Sequence, residues 1–330
     1  MTQLIIDGHR HLMCLKAYKK AMRLNLIDQS FYDKSSIAVN FERAKDWFRK
    51  MTDVHEHIAD LTSTGIDIAI LEPSPMEFYY HAEPDIGAEL CRIINENTAR
   101  FINYYPEHLL GLATIPLQDI ELAIEELNYA IENLNLNGVA MVSNIRGHGF
   151  NEEQFIPFFE EVEKLNLPIF IHPTNPVEPN RLHKYYLINF LGFPIETTIF
   201  ATQLVFSGVL DRCPHLKICL AHAGGVLPFL LGRLEHGQSV RPEAQETSRN
   251  PFSYYLKNFY VDSITFRPDI LRFVISIMPN GHVFMGTDYP FDMADMDPVN
   301  TIKSAISGKD LISDILGGNI SRLIGISNKK

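Results

Sequence analysis

Short apolar runs recur along the chain at 4–6, 66–71, 110–115, 138–142, 168–171, 217–221, 258–261 and 282–286. They are rich in Ile, Val, Leu and Phe and lack polar alternation, the pattern of strands buried on both faces. The stretches between them carry helical periodicity. Asp119 heads one, followed by Glu121, Leu122, Ile124, Leu127 and Ile131, an N-cap ahead of an amphipathic face. Asn151 heads another, with Phe155, Phe158, Phe159 and Val162 on its apolar side. Strands joined by crossovers of that length run parallel. An eightfold alternation predicts an α/β chain closed into a (β/α)8 TIM barrel. A single domain over 1–330 suits it, because about 250 residues is usual for that fold and insertions lengthen it.

Residues 12–50 break the rhythm, being too many for an ordinary loop after a first strand. They carry Lys16, Lys19, Lys20, Arg23, Lys34, Arg43, Lys45, Arg49 and Lys50. The expected element is an inserted lid over the barrel mouth; a solvated basic surface helix fits the same pattern.

Chemistry gathers where the apolar runs end. The first leads into Asp7-Gly8-His9-Arg10-His11. Side chains at i and i+2 of a strand share a side, so His9 and His11 face one way, and Asp7 joins them. At the carboxyl end of a barrel strand that side is the mouth, where such folds keep their active sites. Two imidazoles there make a ligand pair for zinc or a similar ion. Other runs end in His172, in His222 before Ala223-Gly224-Gly225, and in Asp288 before Tyr289-Pro290. One histidine at a strand end is ordinarily structural. Strand ends that bring His, His, His and Asp to one rim point to a metal site. A metal lowers the pKa of a bound water to about 7, and a histidine such as His222 is a side chain that could accept that proton and return it. His55 and His57 lie on a predicted helix, where i and i+2 do not share a face, and are read as solvated.

These residues resemble the amidohydrolase superfamily, and within it the branch of 2-amino-3-carboxymuconate-6-semialdehyde decarboxylase. The likeness runs through Asp7-Gly8-His9-Arg10-His11, Ile171-His172-Pro173, Pro194-Ile195-Glu196-Thr197-Thr198, residues 216–225, Leu231-Gly232-Arg233, Tyr260-Val261-Asp262-Ser263 and residues 286–291. The resemblance implies that His9, His11, His172 and Asp288 hold one divalent metal, zinc in the first place and manganese as the alternative. It implies His222 as the catalytic histidine beside a metal-bound water, with Asp288 sharing in catalysis. Arg233 would hold a substrate carboxylate, reaching the active site of a second copy in a homodimer, and Arg241 falls where a second such arginine is found. A further cation from the segment before the first helix is sought among Arg43, Lys45 and Arg49. Binuclear members of the superfamily use a carboxylated lysine at the fourth strand; here that strand ends in Val142-Ser143-Asn144, so one ion is expected. The branch also carries a tryptophan two residues after the fifth-strand histidine. Thr174 and Asn175 stand there in this chain, a smaller and more polar substrate wall, and Trp47 is its only tryptophan.

Composition narrows the partners. A net charge of −11 argues against nucleic acid or an anionic membrane, which need a basic surface. It leaves room for a small anionic carboxylate held by local arginines. There is no signal-peptide pattern and no apolar stretch of membrane-spanning length. Cys14, Cys91, Cys213 and Cys219 are scattered without a C-x-x-C pair, which suggests a reducing, cytoplasmic setting. No phosphate-binding glycine loop and no G-x-S-x-G elbow supports nucleotide or serine-nucleophile chemistry. The expected function is metal-dependent, non-oxidative decarboxylation of a small unsaturated or aromatic carboxylic acid. Hydrolysis of an amide, lactone or C–C bond on the same site is the alternative, with a hydratase behind it. A non-catalytic metal-binding protein is disfavoured, since it would have no need of His222.

Overall fold

The computed structural model describes residues 4–27 and 45–326. Its strands are β1 (Ile6–Leu12), β2 (Ile68–Pro73), β3 (Leu109–Gly111), β4 (Ala113–Thr114), β5 (Val139–Val142), β6 (Pro168–His172), β7 (Lys217–Leu220), β8 (Phe259–Asp262) and β9 (Val283–Phe284). Each predicted apolar run except the first supplies the body of its strand, and the third is divided at Leu112 into β3 and β4. Hydrogen-bonded neighbours run β1-β2-β3 and then β4 through β9 in order. The registers of β1 with β2, β2 with β3, β4 with β5, and β6 through β9 are all parallel. Past β9 the chain returns to β1, where Tyr289 forms a parallel bridge with Arg10. This strand order, with helices in the crossovers, is the α/β barrel class that the alternation predicted.

The chain divides into two compact units, Met1–Ala140 with Gly286–Asp297, and Met141–Met285 with Pro298–Lys330. In the first, Ile6, Leu12, Ala69, Ile70, Leu71, Leu109 and Leu112 are sealed from water. In the second, Ile169, Ile218, Leu220, Phe259 and Val261 play the same part, backed by Phe158 and Phe159. Burial on this scale supplies the main driving force for folding.

The first strand is the largest departure from the expected boundaries. It begins at Ile6 and runs through Leu12, with all seven residues buried, the Asp-Gly-His-Arg-His stretch included. A polar run can stay in a buried strand only when its side chains find partners, and these do. The pairing with β2 is irregular between Asp7 and Arg10. An irregularity of this kind resets the alternation of faces, and Asp7 does not share the side of His9 and His11.

Asp119 caps the helix Ile120–Glu132 as expected, its carboxylate accepting from the Leu122 amide at 3.0 Å. After Asn151 a 3-10 turn, Glu153–Phe155, precedes the helix Ile156–Lys164. The helix starts late because Pro157, which has no N–H to give, fits only its first turn. Within the predicted 12–50 insertion, Leu15–Arg23 and residues 45–52 are helical. Lys34 and Arg43 lie outside the described residues.

Candidate metal centre

Three of the four expected ligands meet inside the first unit. His9 Nε2 lies 3.2 Å from His11 Nε2. Asp288 Oδ1 is 2.8 Å from His11 Nε2 and 3.4 Å from His9 Nε2. All three residues are buried. An ion about 2.1 Å from each ligand would set neighbouring donors roughly 3.0 to 3.4 Å apart, for right-angled to tetrahedral geometry, so the spacing fits one small cation. His172 joins the group: one ligand atom from each of His9, His11, His172 and Asp288 lies within 4.8 Å of all the others. Three imidazoles with one carboxylate are a donor set for zinc, manganese or a similar divalent ion.

A buried ionic network stands behind these ligands. Arg10, between the two histidines in sequence, is wholly buried. Its Nε donates to His57 Nδ1 at 3.2 Å, and its two terminal nitrogens reach Asp7 at 3.3 Å and Asp60 at 2.7 Å. The guanidinium also lies 3.6 Å from the Tyr289 ring centroid. Asp7 turns toward this network and accepts from the Thr287 hydroxyl at 2.6 Å and the Thr287 amide at 3.0 Å. The two strand ends that carry His9, His11 and Asp288 are thereby tied together through Asp7.

The reading of His57 as solvated is overturned: the helix Val54–Thr64 turns His55 outward and His57 fully inward. Burial first, then the neighbouring Arg10 charge, holds the His57 imidazole well below its ordinary value. A histidine kept neutral in the folded state lets the unfolded chain alone gain a proton as pH falls. Stability should therefore drop below pH about 6.5, by up to about 1.4 kcal/mol per pH unit, and stay level above it. Urea unfolding from pH 7.5 to 5 checks this against His57→Gln. The variant should show a shallower loss, and equal slopes would refute the assignment.

In the second unit, His172 closes β6 and its ring stands 5.1 Å from the His222 ring, nearly perpendicular to it. His222 rides on an unusual turn after β7. His222 and Ala223 both have left-handed backbones, with φ of 57° and 55°. Asp262, at the end of β8, holds that turn through the His222 and Ala223 amides, each 2.8 Å from a carboxylate oxygen. These hydrogen bonds offset backbone strain of about 1–3 kcal/mol for each left-handed non-glycine residue. Beside β6, the Asn144 side chain donates to the Thr174 carbonyl at 2.8 Å and to Glu196 Oε1 at 2.7 Å. Burial pushes the Glu196 carboxyl up from its usual range.

The remaining expected residues are more dispersed. Thr174 is buried and Asn175, with φ 43°, is exposed. Arg233 and Arg241 are exposed, and Arg241 pairs with Glu243. Of the three candidate cations before the first predicted helix, Lys45 and Arg49 are described and exposed; Arg49 pairs with Asp46 and Glu56. Trp47 packs edge-on against Phe291, which in turn lies 5.0 Å from the His11 ring. Sequence reasoning gave no role to Glu72, Asp262 or Glu196. Each had a legible signal: a charged residue at the end of an apolar run, or the first acidic position of the helix that follows one.

Comparison with known proteins bears directly on this arrangement. The family model described as amidohydrolase matches residues 6–326. The chain belongs to the amidohydrolase family. This amidohydrolase is 35% identical over 281 residues to 2-amino-3-carboxymuconate-6-semialdehyde decarboxylase of Dictyostelium discoideum, covering 84% of this chain and 78% of the relative. It is 31% identical over 266 residues to gamma-resorcylate decarboxylase of a Rhizobium species, covering 76% and 81%. Among solved structures, 5-carboxyvanillate decarboxylase of Sphingomonas paucimobilis superposes with a TM-score of 0.87 at 26% identity, over 99% of this chain and 100% of that one. The branch of the family inferred from the sequence stands, and with it the reading of the protein as an enzyme of carboxy-lyase kind.

Proposed function

We propose that this amidohydrolase is a metal-dependent, non-oxidative decarboxylase of a small aromatic or unsaturated carboxylic acid. The observation that carries the reading is the gathering of His9, His11, His172 and Asp288 with His222 beside His172, in a chain whose relatives are named decarboxylases. One divalent ion, zinc or manganese, held by those four residues would act as a Lewis acid on a substrate oxygen. Decarboxylation breaks the bond between the carboxylate and its carbon, leaving the electron pair on that carbon. His222 delivers the proton that this carbon needs, and Asp262 keeps its turn in place to do so. Thr174 and Asn175 wall the substrate, and Trp47 with Phe291 offers an aromatic surface close to His11. Hydrolysis is the alternative that the same donor set permits; the curated relatives named above are decarboxylases.

Arg233 completes the reading as the holder of the substrate carboxylate, presented to a second copy in a homodimer, with Arg241 near it in sequence. The helix Leu227–Val240 supports this. It buries only Leu227, Pro228 and Gln238, while Phe229 is 80% and Val240 58% exposed. A side chain added at Gly232 or Gly237 would meet nothing within 4 Å. An apolar face of this kind suits burial against another copy. A cytoplasmic location is supported by the four cysteines, all buried and none in a disulfide among the described residues. No helix among those residues is long and apolar enough to cross a membrane.

The test is a screen of aromatic and unsaturated carboxylic acids for released carbon dioxide, run on wild type and His222→Ala. The variant should retain its metal by elemental analysis and lose about 10²- to 10⁴-fold in kcat, the usual worth of a positioned acid or base. Wild-type turnover in His222→Ala would remove the proposed role.

A further inference from the structure

We propose that Glu196 is a positioning residue: bridged to Asn144, it fixes the loop that follows β6, and through that loop the choice of acid. This rests on the decarboxylase reading above and refines it. All of the residues concerned lie in the second unit. The loop carries Thr174 and Asn175 and stays irregular until the short helix Pro179–Leu182. Its backbone is left-handed at Asn175 and again at Glu178, with φ of 43° and 52°. Non-glycine residues keep such a backbone only where their surroundings hold it. Here the hold comes from side chains outside the loop. Ser143 Oγ accepts from the Thr174 amide at 3.1 Å. Asn144 Nδ2 donates to the Thr174 carbonyl at 2.8 Å and lies 3.4 Å from the Asn175 carbonyl. That nitrogen has two hydrogens to place, and Glu196 Oε1 takes one of them at 2.7 Å. The Val177 backbone hydrogen-bonds the same carboxylate. Glu196, only 4% exposed, therefore grips the loop at two points, through Asn144 at Thr174 and directly at Val177.

The same helix start supports the His222 turn by a different side chain. Glu196 stands in the first turn of the helix Phe193–Phe206. Two residues on, Thr198 Oγ1 accepts from the Val226 amide at 3.0 Å, just past that turn. Two supports on one helix predict two separable kinetic effects. Loosening the wall at Thr174 and Asn175 disturbs binding and selection, whereas loosening the turn disturbs the placing of His222 for the chemical step.

Full-length, metal-loaded wild type, Glu196→Ala, Glu196→Gln and Thr198→Ala are compared in two measurements. The first is amide hydrogen exchange, which needs no substrate. Glu196→Ala should speed exchange at Thr174, Asn175 and Val177 by about tenfold or more and leave residues 222–226 as they were; Thr198→Ala should do the reverse. The second is carbon dioxide release from 2-hydroxybenzoate, its bulkier 3-methoxy derivative and the other acids of the screen above. Glu196→Ala should raise KM about tenfold, the scale of losing one such hydrogen-bond partner, and change the ratio of kcat/KM between small and bulky acids, with kcat within about threefold. Thr198→Ala should lower kcat and keep that ratio. Glu196→Gln retains the acceptor oxygen for Asn144 and should recover most of the selectivity; a Gln variant as impaired as Ala would overturn the bridge. A Glu196→Ala protein that loses all acids in equal proportion, or exchanges no faster at 174–177 than wild type, would also overturn the proposal. Should Glu196→Ala fail to fold, Asn144→Ala breaks the same bridge from its other end, with the same results expected and the same ones fatal. If wild type releases carbon dioxide from no acid of the screen, the decarboxylase reading falls, and the exchange measurement alone upholds or overturns the placing of the loop by Glu196.

Discussion

His9→Ala and His172→Ala should each lose the divalent ion and reduce decarboxylation about a thousandfold or more, equivalent to roughly 4 kcal/mol of barrier. Each removes one of three imidazoles from a four-residue group, and neither alanine offers a replacement donor. The reacting carboxylate then faces no Lewis acid, and the remaining ligands compete with water for whatever ion enters. The fold should persist, because a chain of 330 residues buries enough apolar surface to stand without a metal staple. Elemental analysis and carbon dioxide release, measured on the same preparations, give the answer. Full occupancy in both variants would dismantle the ligand assignment even if activity fell.

Arg10→Met should cost about 3–5 kcal/mol of stability, the scale for removing one member of a buried ionic group. The Arg10 and Asp7 side chains have no exposed surface, and Asp60 is 16% exposed. Without the guanidinium, Asp7 is left as a buried carboxylate facing Thr287, and Asp60 loses its 2.7 Å partner. Contact with the Tyr289 ring, worth about 0.5–2 kcal/mol in such settings, goes as well. Denaturant unfolding of wild type and variant measures the loss. The double variant Asp7→Asn with Arg10→Met should recover part of it, since the stranded charge is then removed. An Arg10→Met protein as stable as wild type would mean that the network contributes nothing.

Much of the fold was legible because both determinants are local. Strands buried on both faces are written as unbroken apolar runs, and helices as periodic ones. The site was legible for a related reason. His172, His222 and Asp288 each follow such a run, so strand ends advertise the candidate residues. What stayed hidden depends on contacts between distant segments. His57 reads as an ordinary polar helix position until Arg10 is seen 47 residues away in sequence at hydrogen-bond distance. The strand pattern was legible from Asp7 to His11, but that Asp, His and Arg stay buried in it through Leu12 was not. They are tolerated only because Thr287, Asp60 and Asp288 lie opposite. Trp47 was noted as the sole tryptophan, but its packing on Phe291 brings together residues 244 apart in number. Glu72 sits plainly at the end of an apolar run, yet its approach to His9, 3.3 Å at Nε2, is a matter of register between strands, which a single chain of letters does not display.

The turn bearing His222 limits how such a protein can diversify. A methyl group on Gly225 would meet the Pro194 carbonyl oxygen at 2.1 Å, and Gly224 and Gly225 both have positive φ. Lengthening or decorating that hairpin-tight segment would displace His222, the proposed proton carrier. New specificities would have to be acquired away from this turn. In this architecture the reaction is inherited nearly intact, while the choice of acid is open to revision.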